Sequence, residues 1–441
     1  MKAERYFWVF FLGILVSAQN SFEIRNAKKT VIPFKLINNL IFIPVNVNGA
    51  DLTFLLDTGV AETSIFSLEN KELKLTSLEK IKFSGLGGNA SIDGFRSDHN
   101  VGRIGKDYIN DSMTLFIIVD QDFNISSHVG IPVNGIIGYH FFKNHPVIID
   151  YGAKKITVYN DETLFKKKVK NYEQFSISIE KNKPYIFADV EITHEKQNSK
   201  LLIDLGNSDP IWLFPALIPG FTYKRPYIDD FLGRGFNGDV YGKRSRIHHF
   251  YLGKFKFEKP LTAMPDEYSI QHVNQVENRR GSIGGEIIRR FTIGFDYARQ
   301  KIYLKKNRNF NDPFHFNMSG LDFKQDGLEW TKDMVSLPAK NNTVNGGSEV
   351  INNSLLYNFV LKPVFSIAGV RKDSPGARAG LLKDDKLVSI NGKKTADMTL
   401  LKIMDLMKSE EGRRIEMLIE RKNKPMTLSF ILEDPIPYEE Q

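Results

Sequence analysis

The chain has 441 residues, 41% of them hydrophobic and 25% charged, which excludes wholesale disorder and allows roughly two to four domains. Its 60 Lys+Arg against 52 Asp+Glu leave a net charge of +8, but the basic residues are scattered, which reads as a solvated surface rather than a nucleic-acid footprint. The absence of cysteine excludes disulfides, thiolate catalysis, cysteine zinc sites and lipid attachment at a cysteine.

At the N-terminus, Lys2 and Arg5 precede the uncharged apolar run Tyr6–Val16, and Val16-Ser17-Ala18 places small residues at a cleavage position. That run is too short for the roughly 20 residues a spanning helix needs. Residues 1–18 are therefore expected to be a signal peptide, cleaved after Ala18, with export to the periplasm or the extracellular space. No later stretch is long and apolar enough to cross a membrane, so no transmembrane segment is expected after cleavage.

The chain then repeats itself. "IFIPVNVNGADLTFLLDTGVAETSIF" (41–66) reads as an alternating strand, an Asn48-Gly49 hairpin turn and a second strand ending at Asp57. "PYIFADVEITHEKQNSKLLIDLGNSDPIWLF" (184–214) has the same plan, with an apolar strand ending at Asp204, an offset of 147 residues. "GLGGNASIDGFRS" (85–97) aligns with "GRGFNGDVYGKRS" (233–245), sharing Gly85/Gly233, Gly87/Gly235, Asn89/Asn237, Gly94/Gly242 and Arg96/Arg244. "GIIGYHFFKNHPVIIDYGAKKITVY" (135–159) aligns with "SIGGEIIRRFTIGFDYARQKIYL" (282–304). Four ordered blocks at near-constant offset predict two homologous, mostly β lobes, 31–165 and 172–307.

A third unit follows. "FSIAGVRKDSPGARAGLLKDDKLVSINGKK" (365–394) reads as strand, turn, short helix ending at Gly380, and strand. A helix with Leu400, Ile403, Met404 and Met407 on one face comes next, then a closing hairpin over 413–432. We expect a connecting segment at 308–330 and the third unit at 331–434, with "NNTVNGGSEVINNS" (341–354) as its loop or linker.

Two homologous lobes, each ending an apolar strand in Asp-x-Gly, suggest two carboxylates facing each other across a pseudo-twofold axis. At about 3 Å such a pair cannot ionise twice, so it shares a proton: the ionised member activates a water and the protonated member polarises a carbonyl. "LLDTGVAETSIF" together with "GIIG" (135–138) resembles the retropepsin-type aspartic protease signature, and Asp204 is followed by "IGG" at 283–285. The resemblance covers both lobes. It implies a mainly β, bilobal acid-protease fold of two pepsin/retropepsin-like β-barrel lobes, and an aspartic endopeptidase with Asp57 and Asp204 as its catalytic pair. Thr58, Gly59, Gly206, Gly138 and Gly285 would support the pair, and Gly85, Leu86, Gly87 and Gly88 would form a flap over a polypeptide substrate. The third unit resembles a small α+β PDZ domain of bacterial type through "DSPGARAGLLKDDKLVSINGKK", a family that binds extended peptides, often C-termini, by strand addition. "LLYNFVLKP" (355–363) stands where its carboxylate-binding loop is expected. The combination looks like exported bacterial proteins of the aspartyl-protease family.

One departure matters. The family places Thr or Ser after each catalytic aspartate, and Leu205 stands in that place in the second lobe. A catalytically inactive, protease-like peptide-binding scaffold or sensor is the alternative reading. Asp150 and Asp296, each in Asp-Tyr before a turn, read as hairpin residues. "GRGFNG" (233–238) matches a dinucleotide fingerprint letter for letter, but a strand-like stretch follows where that motif needs a helix. His248-His249 and the pair His140/His145 lack a third ligand at useful spacing, so neither metal nor other cofactor is expected.

Overall fold

The computed structural model describes residues 20–69, 71–83, 92–118, 125–192, 195–218, 221, 226–235, 238–270, 276–336 and 355–438. The chain is mainly β. The expected signal peptide (1–18), the expected flap residues Gly85, Leu86, Gly87 and Gly88, and the expected linker (341–354) lie outside the described residues.

In the first lobe, Leu40–Val47 pairs antiparallel with Ala50–Leu56 through a turn in which Asn48 (φ 48°) and Gly49 (φ 93°) are left-handed, as a two-residue hairpin requires. Ile92–Ile104 pairs with both Leu40–Val47 and Tyr108–Ile118, which closes the sheet on itself. The second lobe follows the same plan with two interruptions. The counterparts of the long strands are divided, into Gly238–Arg246 plus His249–Leu252 and into Phe255–Glu258 plus Leu261–Pro265. The break after Phe255–Glu258 contains Pro260, which has no amide hydrogen for a ladder. Its sheet is thus less barrel-like than the resemblance implies.

The lobes share a six-stranded sheet in the order Glu173–Ser176, Lys301–Lys306, Phe291–Asp296, Val147–Asp150, Lys155–Tyr159, Lys29–Pro33. At its centre Ile148 faces Gly294 and Ile149 faces Ile293, one strand from each lobe. Three strands of one lobe thereby mirror three of the other. One apolar cluster runs through both lobes, including Ile43, Phe54, Leu56, Ile203, Leu205 and Ile293. Asp150 and Asp296 sit at the two hairpins of this sheet, where they accept from the amides of Ala153 (3.0 Å) and Arg299 (3.2 Å).

The segment expected to be a connector divides in two. Its first part covers the second lobe: Phe310 packs on Phe257 and Phe291 (ring centroids 5.2 and 5.5 Å), and Arg290 lies over the Phe314 ring at 4.0 Å. Its second part is already the third unit, whose sheet starts at Leu321–Ser336 rather than at 331. That strand is an edge strand whose clear alternation stops after Phe323, so the sequence pattern conceals it. Its order continues through Leu355–Val370, Lys386–Ile390, Arg414–Arg421 and Lys424–Ile431, with helix Leu400–Met407 burying Leu400, Ile403 and Met407. "LLYNFVLKP" is strand, not loop. The turn entering the edge strand is Asn317–Gly320, where Asn317 Oδ1 accepts from the amides of Ser319 (3.1 Å) and Gly320 (3.2 Å).

The third unit docks on the first lobe through its edge strand. Helix Ile125–Val129 packs on Leu321–Ser336 and on helix Leu400–Met407. Gly130, at φ 76°, approaches so closely that a Cβ there would lie 2.9 Å from Leu400 Cβ.

Candidate active site

Each aspartate terminates a strand that is apolar and buried on approach, Phe54-Leu55-Leu56 in one lobe and Leu201-Leu202-Ile203 in the other. A second strand braces it in parallel: Gly135–Ile137 beside Phe54–Leu56, and Arg279–Ile283 beside Lys200–Ile203. The amides of Asp57 and Asp204 donate to Ile137 O and Ile283 O, both at 2.9 Å. The two lobes thus hold their acids by identical backbone devices.

The acids meet. Gly59 N donates to Asp57 Oδ1 at 2.6 Å and Gly206 N donates to Asp204 Oδ1 at 3.2 Å. A Cβ on Gly59 would lie 2.8 Å from Asp204 Oδ1, and one on Gly206 would lie 2.2 Å from Asp57 Oδ2. Each glycine therefore clears space for the opposite lobe's carboxylate, and the two carboxylates interact directly. Burial, then the Asp204 charge, pushes Asp57 up to about 8 against the pull of the Gly59 amide and Lys183. Burial also raises Asp204, opposed first by Arg279 and then by Lys183, the Asp57 hydrogen bond and the Gly206 amide. The pair thus holds one proton between its members, and Arg279 favours the ionised form of Asp204.

The brace between the loops is one-sided. Thr58 Oγ1 donates to Ile203 O at 2.6 Å and accepts from Leu205 N at 3.1 Å, so one hydroxyl satisfies two backbone groups of the other lobe. Leu205 makes no reciprocal bond; its side chain is 1% exposed and joins the shared core. Asn207 Oδ1 accepts from Asp209 N at 2.9 Å within its own loop, and a further bond joins the lobes where Asn39 Nδ2 donates to the backbone carbonyl of Ser208 at 3.0 Å.

Gly138 lies where a Cβ would be 2.2 Å from Val60 O and 2.7 Å from Asp57 O. Its counterpart is Gly284, with a Cβ 2.1 Å from Asp209 O and 2.8 Å from Asn207 O, and not Gly285, which packs on Asn39 O. The repeat offset shortens by one residue here, because Gly138 and Gly284 each follow the isoleucine that accepts the aspartate's amide.

Three groups escaped the sequence reading. Tyr185 pairs with Leu202, so the register carries Lys183 to Asp204 at the strand end. Burial and the charge of Arg279 lower Lys183, while both carboxylates act to raise it. Arg279 is 7% exposed, donates to Gly281 O (3.2 Å) and Ser282 Oγ (2.8 Å), and adds positive potential at Asp204. Tyr297, the residue after Asp296, is buried near Asp57; among the described residues its hydroxyl has no hydrogen-bond partner. The repeated Asp-Tyr was a signal, but its useful member was the tyrosine.

Residues 43–141, which hold Asp57 and its brace, match the family model of aspartyl proteases, and residues 366–421 match that of PDZ domains. The chain combines an aspartyl-protease domain with a PDZ domain. No curated protein matches it. The aspartyl-protease match covers most of the first lobe, and the internal repeat and the mirrored backbone bonds relate the second lobe to it. In the PDZ domain, the edge strand Leu321–Ser336 and helix Leu400–Met407 correspond to the two walls that strand addition uses, and helix Ile125–Val129 of the first lobe packs on both.

Proposed function

We propose that this chain is an exported aspartic endopeptidase that hydrolyses peptide bonds with a water activated by Asp57 and Asp204. The observation that carries the reading is the buried, proton-sharing carboxylate pair at the lobe junction. Asp204, kept ionised by Arg279 and Lys183, takes a proton from the water, whose oxygen attacks the scissile carbonyl carbon. Asp57 donates its proton to the carbonyl oxygen, giving a tetrahedral diol. Collapse of the diol breaks the C–N bond as the amide nitrogen takes the proton held by Asp204, and the diol returns a proton to Asp57. The pair works while it holds one proton, so activity extends up to a limb near the pKa of about 8 at Asp57.

The PDZ domain would bind an extended stretch of polypeptide and position it for the lobes. The amides entering its groove are already bonded to Asn317 Oδ1, which favours internal segments over free C-termini as ligands. Digestion of a peptide library from pH 3 to 9 by wild type and by Asp204→Asn tests the proposal. Loss of cleavage in a folded variant supports it, and an inert wild type counts against it. Leu205 favours a second reading, a non-catalytic peptide-binding scaffold. That reading requires an inert wild type that still binds polypeptide.

A further inference from the structure

Along the chain, His248-His249 has no third partner; the sheet supplies one. Glu191 ends the strand Lys183–Glu191 directly across from His249. His248 Nε2 lies 3.6 Å from Glu191 Oε1, and His249 Nδ1 lies 3.4 Å from Glu191 Oε2. One ligand atom from each residue falls within 4.8 Å of the other two. We propose that Glu191, His248 and His249 form a divalent metal site, of a chemistry suited to Zn2+.

Three observations support this. First, a tetrahedral centre with bonds of about 2.1 Å sets its ligand atoms about 3.4 Å apart, and each ring nitrogen stands 3.4–3.6 Å from one oxygen of Glu191, with one ligand atom of each residue within 4.8 Å of the others. Second, His249 Nδ1 is buried and, among the described residues, makes no hydrogen bond, although the Glu191 carboxylate stands 3.4 Å away. A buried ring nitrogen left unpaired is costly unless something else occupies it. Third, the outer partners of a metal centre are in place. Tyr438 Oη bonds His248 Nδ1, the nitrogen turned away from Glu191, and Tyr251 Oη donates to Glu191 Oε2 at 2.9 Å. Two imidazoles with one carboxylate suit Zn2+ better than Mg2+ or Ca2+.

The site has a structural role. Glu191 and Lys183 stand at opposite ends of one nine-residue strand, so the metal lies roughly 26 Å from the aspartates. Tyr438 belongs to the segment after the PDZ domain, which Arg246 also holds through Asp434 Oδ2 (3.2 Å) and Ile436 O (3.0 Å). A metal on His248 would fasten that segment to the second lobe in a chain that has no disulfide to do so.

The test is calorimetric titration of ZnCl2 into the full chain after removal of metals with EDTA, paired with thermal unfolding and with Co2+ absorption. The expected result is saturable 1:1 binding, a raised unfolding temperature and the intense visible bands of tetrahedral Co2+. Glu191→Gln should abolish these, and Tyr438→Phe should weaken binding about 10- to 100-fold, as loss of an outer partner does. Should Glu191→Gln fold poorly, the Co2+ spectrum of the wild type decides by itself. Zn2+ binding that is unsaturable, or unchanged in a folded Glu191→Gln protein, overturns the proposal, as does an octahedral Co2+ spectrum.

Discussion

Replacing Asp57 with asparagine should stabilise the protein, and increasingly so as pH rises. In the folded state Asp57 keeps its proton up to about pH 8, whereas the unfolded chain loses it near the ordinary value of 3.8. Between these values the native state binds more protons than the unfolded state, so the wild type loses stability as pH rises through the window. Asparagine mimics the protonated acid: its oxygen still accepts from Gly59 N, and its amide still donates toward Asp204. The variant therefore escapes the loss. At pH 7, about three pH units above the free-aspartate value, the difference amounts to at most about 4 kcal/mol at 1.36 kcal/mol per unit, and near pH 4 it vanishes. Urea unfolding of both proteins at intervals from pH 4 to 8 measures it directly. A difference independent of pH, or one that grows toward acid, would refute the claim that burial and Asp204 hold the Asp57 proton.

Thr58→Val should cost about 2–4 kcal/mol in thermal or urea unfolding, because it leaves the buried Ile203 carbonyl and Leu205 amide without their shared hydroxyl. Removing a cation that lowers both carboxylates, Lys183→Met should move both limbs of the pH–rate profile toward alkali; an acid shift would sink the assignment of Lys183 to the site. Gly130→Ala should destabilise by about 1–2 kcal/mol from its left-handed backbone alone. It should also expand the particle in small-angle scattering as the PDZ domain separates from the first lobe; an unchanged radius argues against the docking contact.

The lobes were legible because each repeats its alternation and ends its second strand at Asp-x-Gly, a pattern local in sequence. Hairpin chemistry was legible for the same reason: Asn48-Gly49 carries its own left-handed turn. What escaped was set by register between distant strands. Lys183 reaches Asp204 only because Tyr185 pairs with Leu202, and Glu191 reaches His249 only across a sheet. The PDZ edge strand escaped for another reason, since residues 326–330 are exposed and no core imposes a period on them. Leu205 breaks the motif within the sequence itself, and the structure adds that Thr58 Oγ1 bonds both Ile203 O and Leu205 N of the opposite loop.

The central claim is that Asp57 and Asp204 together activate a water against a peptide bond. Its most direct test is digestion of an unfolded polypeptide in water enriched in oxygen-18, with mass analysis of the new C-termini. The account predicts early products labelled with one heavy oxygen for the wild type, and no cleavage by folded Asp57→Asn or Asp204→Asn. Cleavage that persists in either variant, or a wild type without products across the pH range, would contradict it.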